Sequence, residues 1–510
     1  MTPIGPRPLR LLVSLVLALL LSLLPAPLAL AELAEALPPE GTLLSETWYV
    51  QFLGDERIGW EHETFREIPG GVRFEYVTDS TLRRLGTTSH VHMELQSDES
   101  SEGAFLGGSM VMEMGQAPVV TRWVLDGDGI LETSRQGGRV QEKRLPPPVP
   151  EALGALAARR LLARAITEGR SEVQYKTLAP ENGLKLVTVQ GHHVRDETYE
   201  APDGRVKASV WQFKMSHLPI PMTGFYREDG RTLRSDVSMG VFSMSTRVAT
   251  REQALEGVDA ATVQGVPGDP SDILARTLIT LDMKVPETRT LAAARLVLRT
   301  RGDPLPAIPS AGAQRLVALR KRGRLAVIDV EPDRRLPAPP EDLANAEYLD
   351  ASTLVDPTDP LIVELAEKAA GPAGADPLAQ ADALRAFVHR HIRRKNLAVA
   401  FASASEVARE RSGDCTEHAI LLTALLRARG IPARFASGLV HVSDFQGHRN
   451  VLGWHAWTQA LIDGAWVDLD ATLEERYHPL HVFLGASSLA QGALGGDLVN
   501  QLTLMGSLDV

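Results

Sequence analysis

The sequence predicts an α+β chain, with a large antiparallel β-rich region first and a smaller core of helices and strands last. Three observations carry this reading. From Thr42 to Val248 apolar residues recur with period two, and turn pairs such as Asp126-Gly127, Asp203-Gly204 and Asp229-Gly230 separate the runs. After Tyr348 the apolar period lengthens to that of helices. Between Trp454 and Thr472 two alternating runs flank Asp463-Gly464, a two-residue hairpin signal.

The chain begins "MTPIGPRPLRLLVSLVLALLLSLLPAPLALAE". Arg7 and Arg10 precede the apolar stretch Leu11–Leu24, Pro25 and Pro27 break it, and Ala29-Leu30-Ala31 has the small-residue pattern of a cleavage site. Residues 1–31 therefore read as a secretory signal peptide. The mature chain is expected to be periplasmic or secreted, with no stable membrane insertion after cleavage. Its length suits about two to four domains. Composition places a β-rich domain at 42–255, a small β module at 270–340, the mixed core at 345–485 and a tail at 486–510. A net charge of −11 and the lack of a basic run argue against nucleic acid as a partner.

Within the first region, "TWYVQF" aligns Trp48, Val50 and Phe52 on one face, and "VRFEYVT" aligns Val72, Phe74 and Tyr76. Trp48, Trp60, Trp123 and Trp211 are expected in the core. The exception to strands is 150–169, "PEALGALAARRLLARAITEG", a helix opened by proline and closed by glycine. No residue set here carries recognisable chemistry. The stretch "GVPGDPSD" (265–272) is the next break, and 278–299 and 315–330 read as strands. Beyond them, Asp359-Pro360 and Asp376-Pro377 each offer a cap followed by proline at the first helical position. His389 and His391, two residues apart on the second of these helices, fit a solvated face better than a metal site.

Cys415 is the only cysteine, so it cannot form an internal disulfide even in an oxidising compartment. It precedes "AILLTALLRARG", a buried helix ending at Gly430 with Pro432 beyond. Asp414 and Glu417 have the spacing of a capping box, which puts Cys415 in the first helical turn. There the helix dipole and the free N–H groups favour a thiolate and can bind a developing oxyanion. The nearby Asp414 carboxylate opposes the thiolate, so the thiol needs a histidine partner. His418, one turn on, and His455 are both candidates.

A two-residue loop at 463–464 sets the hairpin register. Ile462 then opposes Ala465, Gln459 opposes Asp468, Trp457 opposes Asp470 and His455 opposes Thr472. Asp470 is diagonal to His455 on the same face, whereas Asp468 lies roughly 13 Å away. The register therefore selects Asp470 as the orienting carboxylate, and a thiol at a helix start, a histidine on a strand and a carboxylate on the adjoining strand together give Cys415 as nucleophile, His455 as base and Asp470 as the acid that orients it. Trp454, Trp457 and Trp466 either line the cleft or pack the hairpin.

Four stretches, "SGDCTEHA" (412–419), "RARGIPAR" (427–434), "GWHAW" (453–457) and "GAWVDLDAT" (464–472), resemble the transglutaminase-like superfamily of papain-type thiol enzymes in order and spacing. The lead-in "YLDASTLVDPTDPLIVELA" (348–366) is similar to that of bacterial members. The resemblance covers about 345–485 and implies a papain-like core with Cys415, His455 and Asp470 as catalytic residues. Asp470-Ala471-Thr472 departs from the Asp-Pro-Thr frequent in the family. The calcium-site residues of animal transglutaminases have no recognisable counterpart, so no metal and no cofactor are expected. The expected function is thiol-dependent acyl transfer or hydrolysis at a carboxamide or peptide bond, on a protein or peptide of the cell envelope. The alternatives are an envelope cysteine peptidase, and a non-catalytic binding or assembly protein that works through the β-rich region. The motifs do not choose the substrate or the oligomeric state.

Overall fold

Period-two alternation in the first half of the chain becomes a single antiparallel sheet of fourteen strands. The structure is a computed structural model, and it describes residues 41–510 apart from 85–86, 114–117, 137–138, 240–241, 258–276, 282, 284, 302–303, 372–375, 395–401, 446, 491–500 and 502–503. The signal segment 1–31 and the break at 265–272 lie outside the described residues. Short turns make strands that are adjacent in sequence adjacent in the sheet. One meander of eight strands spans Thr42–Leu145 and another of six spans Glu172–Ala249. They join where the first strand, Thr42–Leu53, pairs with the last, Phe242–Ala249, from Trp48↔Ala249 to Leu53↔Met244.

Val72, Phe74 and Tyr76 are buried, as their alternation predicts. In the first strand Tyr49, Val50, Gln51 and Leu53 are buried, while Trp48 and Phe52 are only half-buried. Trp123 and Trp211 are core residues, and Trp48 and Trp60 are half-buried. The expected helix is Ala155–Thr167. Its N-cap is Gly154, which has no side chain to satisfy the first N–H groups. Glu99 does so instead, accepting from Leu156 N–H at 3.0 Å and Ala157 N–H at 2.8 Å. The helix buries Arg159, whose guanidinium lies 4.8 Å from the centre of the Phe65 ring and bonds Ser45 Oγ at 3.0 Å.

The chain divides into two compact units, one of residues 1–82 and 88–270 and the other of residues 83–87 and 271–510. The second unit holds the helices Pro360–Ala370, Pro377–His391, Ala404–Glu410 and Cys415–Ala428. Asp359 and Asp376 cap the first two, with proline next, as the dipeptides predict. Its main sheet runs Ile279–Thr280, His448–Ile462, Ala433–Phe445, His481–Ser487, and Ala465–Leu469 pairs with His448–Ile462.

The segment expected as a separate module at 270–340 is part of this unit. Ala294–Thr300, Gln314–Arg320 and Leu325–Val330 form a second sheet, and one hydrophobic core joins Leu298, Ile328 and Val330 to Trp457, Trp466 and Phe483. Two polar contacts reinforce the join. Gln314 exchanges bonds with the backbone of Phe483, at 2.8 Å in each direction, and Asp468 accepts from Ala313 N–H at 2.8 Å. The expected tail also returns to this sheet, because Leu508–Asp509 pairs with Ala294–Thr300 and Leu504 and Leu508 are buried in the shared core.

Glu99→Ala should uncap the helix Ala155–Thr167 and leave two buried N–H groups without their acceptor. The expected cost is about 1–3 kcal/mol per group. Hydrogen exchange of the helix amides in the full chain should speed up at least about tenfold relative to wild type. Unchanged exchange would mean that Glu99 is not the effective cap.

Candidate active site

Local sequence places the thiol. Asp414 is the N-cap of the helix Cys415–Ala428, and the predicted capping box is present: Asp414 Oδ1 accepts from Thr416 N–H at 2.8 Å, and Glu417 Oε2 accepts from Asp414 N–H at 2.9 Å. Gly413 has φ +151, and a Cβ there would sit 2.3 Å from Cβ of Glu417. Only glycine fits that approach. Glu417 is fully buried, and burial first, then the adjacent Asp414 carboxylate, hold its carboxyl well above the usual carboxylate range. Cys415 is partly exposed at the start of a helix buried from Thr416 to Arg427. His418 turns Nδ1 back to the carbonyl oxygen of Asp414, at 2.5 Å.

The hairpin places the histidine. Asp463 and Gly464 both take positive φ, +51 and +74, the geometry of the predicted two-residue turn. The ladder runs from Ile462↔Ala465 through Gln459↔Asp468 to Thr458↔Leu469, in the predicted register. It ends there, so the expected pairings of Trp457 with Asp470 and His455 with Thr472 are not formed. Beyond Leu469 the chain turns, and Asp470 N–H donates to Arg476 O at 2.8 Å.

The turn is pinned from the helix Pro377–His391. The Arg385 guanidinium donates to the carbonyls of Asp470, Leu473, Glu474 and Glu475, at 2.9–3.3 Å. His389 Nδ1 donates to Ala471 O at 3.1 Å and His391 Nε2 to Ala408 O at 2.8 Å. These two histidines are half-buried and engage backbone, a correction to the solvated face expected for them.

The turn still brings Asp470 to His455. His455 Nε2 donates to Asp470 Oδ2 at 2.7 Å, and the Cys415 side chain is an electrostatic neighbour of the same imidazole. Nε2 being taken, Nδ1 is the nitrogen left to the thiol. The three residues singled out in the sequence thus lie in one contact line. Asp470 Oδ1 accepts from Thr472 N–H at 2.8 Å and Thr472 Oγ1 at 2.5 Å. A residue with no sequence signal completes the carboxylate's partners: His481 Nε2 donates to Oδ2 at 3.1 Å.

Asp470 and His481 are fully buried, and the His455 side chain is 8% exposed. Burial would push the His455 imidazole down, but the charge and hydrogen bond of Asp470, with the Cys415 contact, raise it to about 10. Burial would raise Asp470, but the charge and hydrogen bonds of His455 and His481 hold it well below the usual carboxylate range. The nitrogen and oxygen atoms of His455, His481 and Asp470 lie within 4.8 Å of one another. The 2.7 Å contact is a hydrogen-bond separation, shorter than the roughly 3.3 Å between two ligands of a tetrahedral zinc.

Asp468, two residues earlier and still on the strand Ala465–Leu469, does different work. It accepts from Trp457 Nε1 and Gln459 Nε2, each at 2.8 Å, besides Ala313 N–H. Trp457 and Trp466 are core residues and half-buried Trp454 packs against that core, so the three tryptophans are packing groups.

The pH dependence of the buried pair follows from the two shifts. His455 is raised above its ordinary 6.5, so its stabilisation is complete below that pH and is lost as pH rises to about 10. Asp470 is lowered below its ordinary 3.8, so its stabilisation is complete above that pH and is lost on acidification below it. The difference in unfolding free energy between wild type and Asp470→Asn should therefore be widest from about pH 4 to 6.5 and shrink toward about pH 10. Urea titrations across that range read it, and a difference independent of pH would contradict the ion pair.

Three solved structures resemble parts of this chain at low similarity. A β-barrel-like protein of unknown function from Brucella abortus is 11% identical, over 40% of this chain and 95% of that one, with a TM-score of 0.31. A candidate cysteine protease from Cytophaga hutchinsonii is 17% identical, over 42% of this chain and 83% of that one, with a TM-score of 0.26. The periplasmic domain of TgpA from Pseudomonas aeruginosa is 18% identical, over 39% of this chain and 73% of that one, with a TM-score of 0.25. No curated protein matches the chain. The family model of the Transglutaminase-like superfamily matches residues 364–471, the stretch that contains Cys415 and His455 and ends just past Asp470, and the C-terminal part of this chain is a transglutaminase-like domain.

Proposed function

We propose that the chain is an exported thiol enzyme that transfers or hydrolyses an acyl group at a carboxamide or peptide bond of a protein or peptide in the cell envelope. The contact line from the Cys415 thiol through His455 to Asp470 supports this reading. Cys415 attacks the carbonyl carbon as the thiolate while His455 carries the proton. The negative charge that develops on the carbonyl oxygen falls near the helix start, where the Cys415 N–H has no intrahelical acceptor. The C–N bond breaks as His455 passes its proton to the leaving nitrogen, which departs as ammonia or an amine and leaves a thioester on Cys415. Water or a primary amine then attacks the thioester, His455 takes a proton from it, and the thiolate is regenerated. Asp470 holds the imidazole in orientation and balances its charge through both steps. No metal or cofactor takes part in this scheme.

Iodoacetamide should label Cys415 near neutral pH, read by intact mass, far faster than it labels a model thiol. His455→Ala and Asp470→Asn should each slow labelling or turnover by about a hundredfold or more, while His418→Ala should leave the rate close to wild type. Circular dichroism checks that each variant is folded. Mass spectrometry of glutamine-containing peptides incubated with a primary amine separates the outcomes. Ammonia loss with amine gain marks transfer, conversion of amide to acid marks deamidation, and chain scission marks a peptidase. A thiol that reacts like a free one, with no product of any kind, would favour the non-catalytic binding protein.

Export rests on the N-terminal sequence and has its own test. The mature protein recovered from the envelope fraction should begin at Glu32. N-terminal sequencing that finds Met1 or Thr2 on the mature protein would overturn the cleaved signal.

A further inference from the structure

His481 opens the strand His481–Ser487 and is fully buried. Both of its ring nitrogens face an oxygen that can only accept. Nδ1 lies 2.9 Å from the carbonyl oxygen of His478, and Nε2 lies 3.1 Å from Asp470 Oδ2. A neutral imidazole has a single N–H, so one of these contacts would set a nitrogen lone pair against an oxygen lone pair, away from water. Only the imidazolium donates to both.

The neighbouring groups accommodate that charge. Asp470 is the anion in contact. Tyr477 stacks on the ring with centroids 4.0 Å apart, the face of an aromatic ring that attracts a cation. His478 stays neutral: its Nδ1 accepts from Leu480 N–H at 3.2 Å, and burial, the largest cause, pushes it down to about 2. His441, on the adjacent strand, turns Nε2 to Asn450 Oδ1 at 3.0 Å. His455 is a further titratable neighbour, and it shares Asp470 Oδ2.

We propose that His481 is a positioning residue of the thiol site, a doubly protonated ring that locks Asp470 and divides that carboxylate's charge between two imidazoles. The proposal rests on the reading of Cys415, His455 and Asp470 given above. With His455 and His481 on Oδ2, and the N–H and hydroxyl of Thr472 on Oδ1, the lone-pair sites of the carboxylate are filled and it cannot turn away from His455. A carboxylate serving His455 alone would also hold the imidazolium proton tightly. A general acid must release that proton to the leaving nitrogen, and a second cation on the same oxygen loosens the hold. The two ring centroids are 5.9 Å apart. At that separation a unit charge shifts a titration by on the order of one to two pH units at an effective dielectric of about 20.

His481→Gln keeps a neutral N–H donor for Asp470 Oδ2 and removes the charge. The pH profile of Cys415 alkylation should keep its shape and move both limbs to higher pH by about one unit or more, because a nearby cation disfavours every protonated state of the pair. A purely structural residue would leave the limbs in place and change only the thermal midpoint. In the wild-type chain with isotope-labelled histidine, nitrogen NMR should show both nitrogens of the His481 ring protonated at neutral pH, the ring being assigned through its contact with Tyr477. A single protonated nitrogen, or a His481→Gln profile with unmoved limbs, overturns the proposal. If the variant does not fold, the nitrogen spectrum decides alone. Either failure leaves fast labelling of wild-type Cys415 intact. An unreactive Cys415 in wild type would instead overturn the reading of the site, and the spectrum would still decide the state of His481.

Discussion

Asp470 is a carboxylate sealed from water, and the second unit is arranged around supplying it with donors. A buried ion costs several kcal/mol unless it is paired and its lone pairs are filled. Here the donors come from three places in the chain: His455 on the central strand, Thr472 in the turn just beyond, and His481 at the start of the next strand. The site is therefore set by the closing of the sheet rather than by any one segment. The partly exposed thiol of Cys415 meets this buried network at His455.

A second polar network holds the hairpin from behind. Asp468 and Asp470 are two residues apart, and alternation gives them the same face. Asp468 stays inside the ladder and collects Trp457, Gln459 and the backbone of Ala313. Asp470 lies past the ladder's last pair, and Arg385 secures the turn by donating to four successive or near-successive carbonyls. The segment around Ala313 and Gln314 is thus tied to the same strands that carry the site, which explains why 270–340 does not stand as a separate module.

The further role argued for His481 follows from the same economy of donors. A ring whose two nitrogens both face acceptors has no neutral form that satisfies them. Two imidazoles on one carboxylate oxygen give a site in which the negative charge is strong enough to orient His455 and shared enough to let its proton move.

The sequence by itself determined what depends on neighbours a few residues apart. The capping box of Asp414 and Glu417 put Cys415 in the first turn of a helix, and Asp463-Gly464 set the hairpin register as far as Thr458↔Leu469. Period-two alternation between turns foretold the antiparallel β-rich region, because a sheet with sequential pairing needs only local turns. Tertiary structure alone decided the contacts made by residues with no periodic signal. Glu99 caps a helix 57 residues away, Arg385 reaches carbonyls 85 residues on, and Gln314 meets Phe483 across 169. His481 is only 11 residues from Asp470, yet nothing in its neighbourhood marks it. The physical reason is common to all four. A capping box or a tight turn is satisfied within its own few residues, whereas a buried polar group takes whichever donor or acceptor the closed core brings to it.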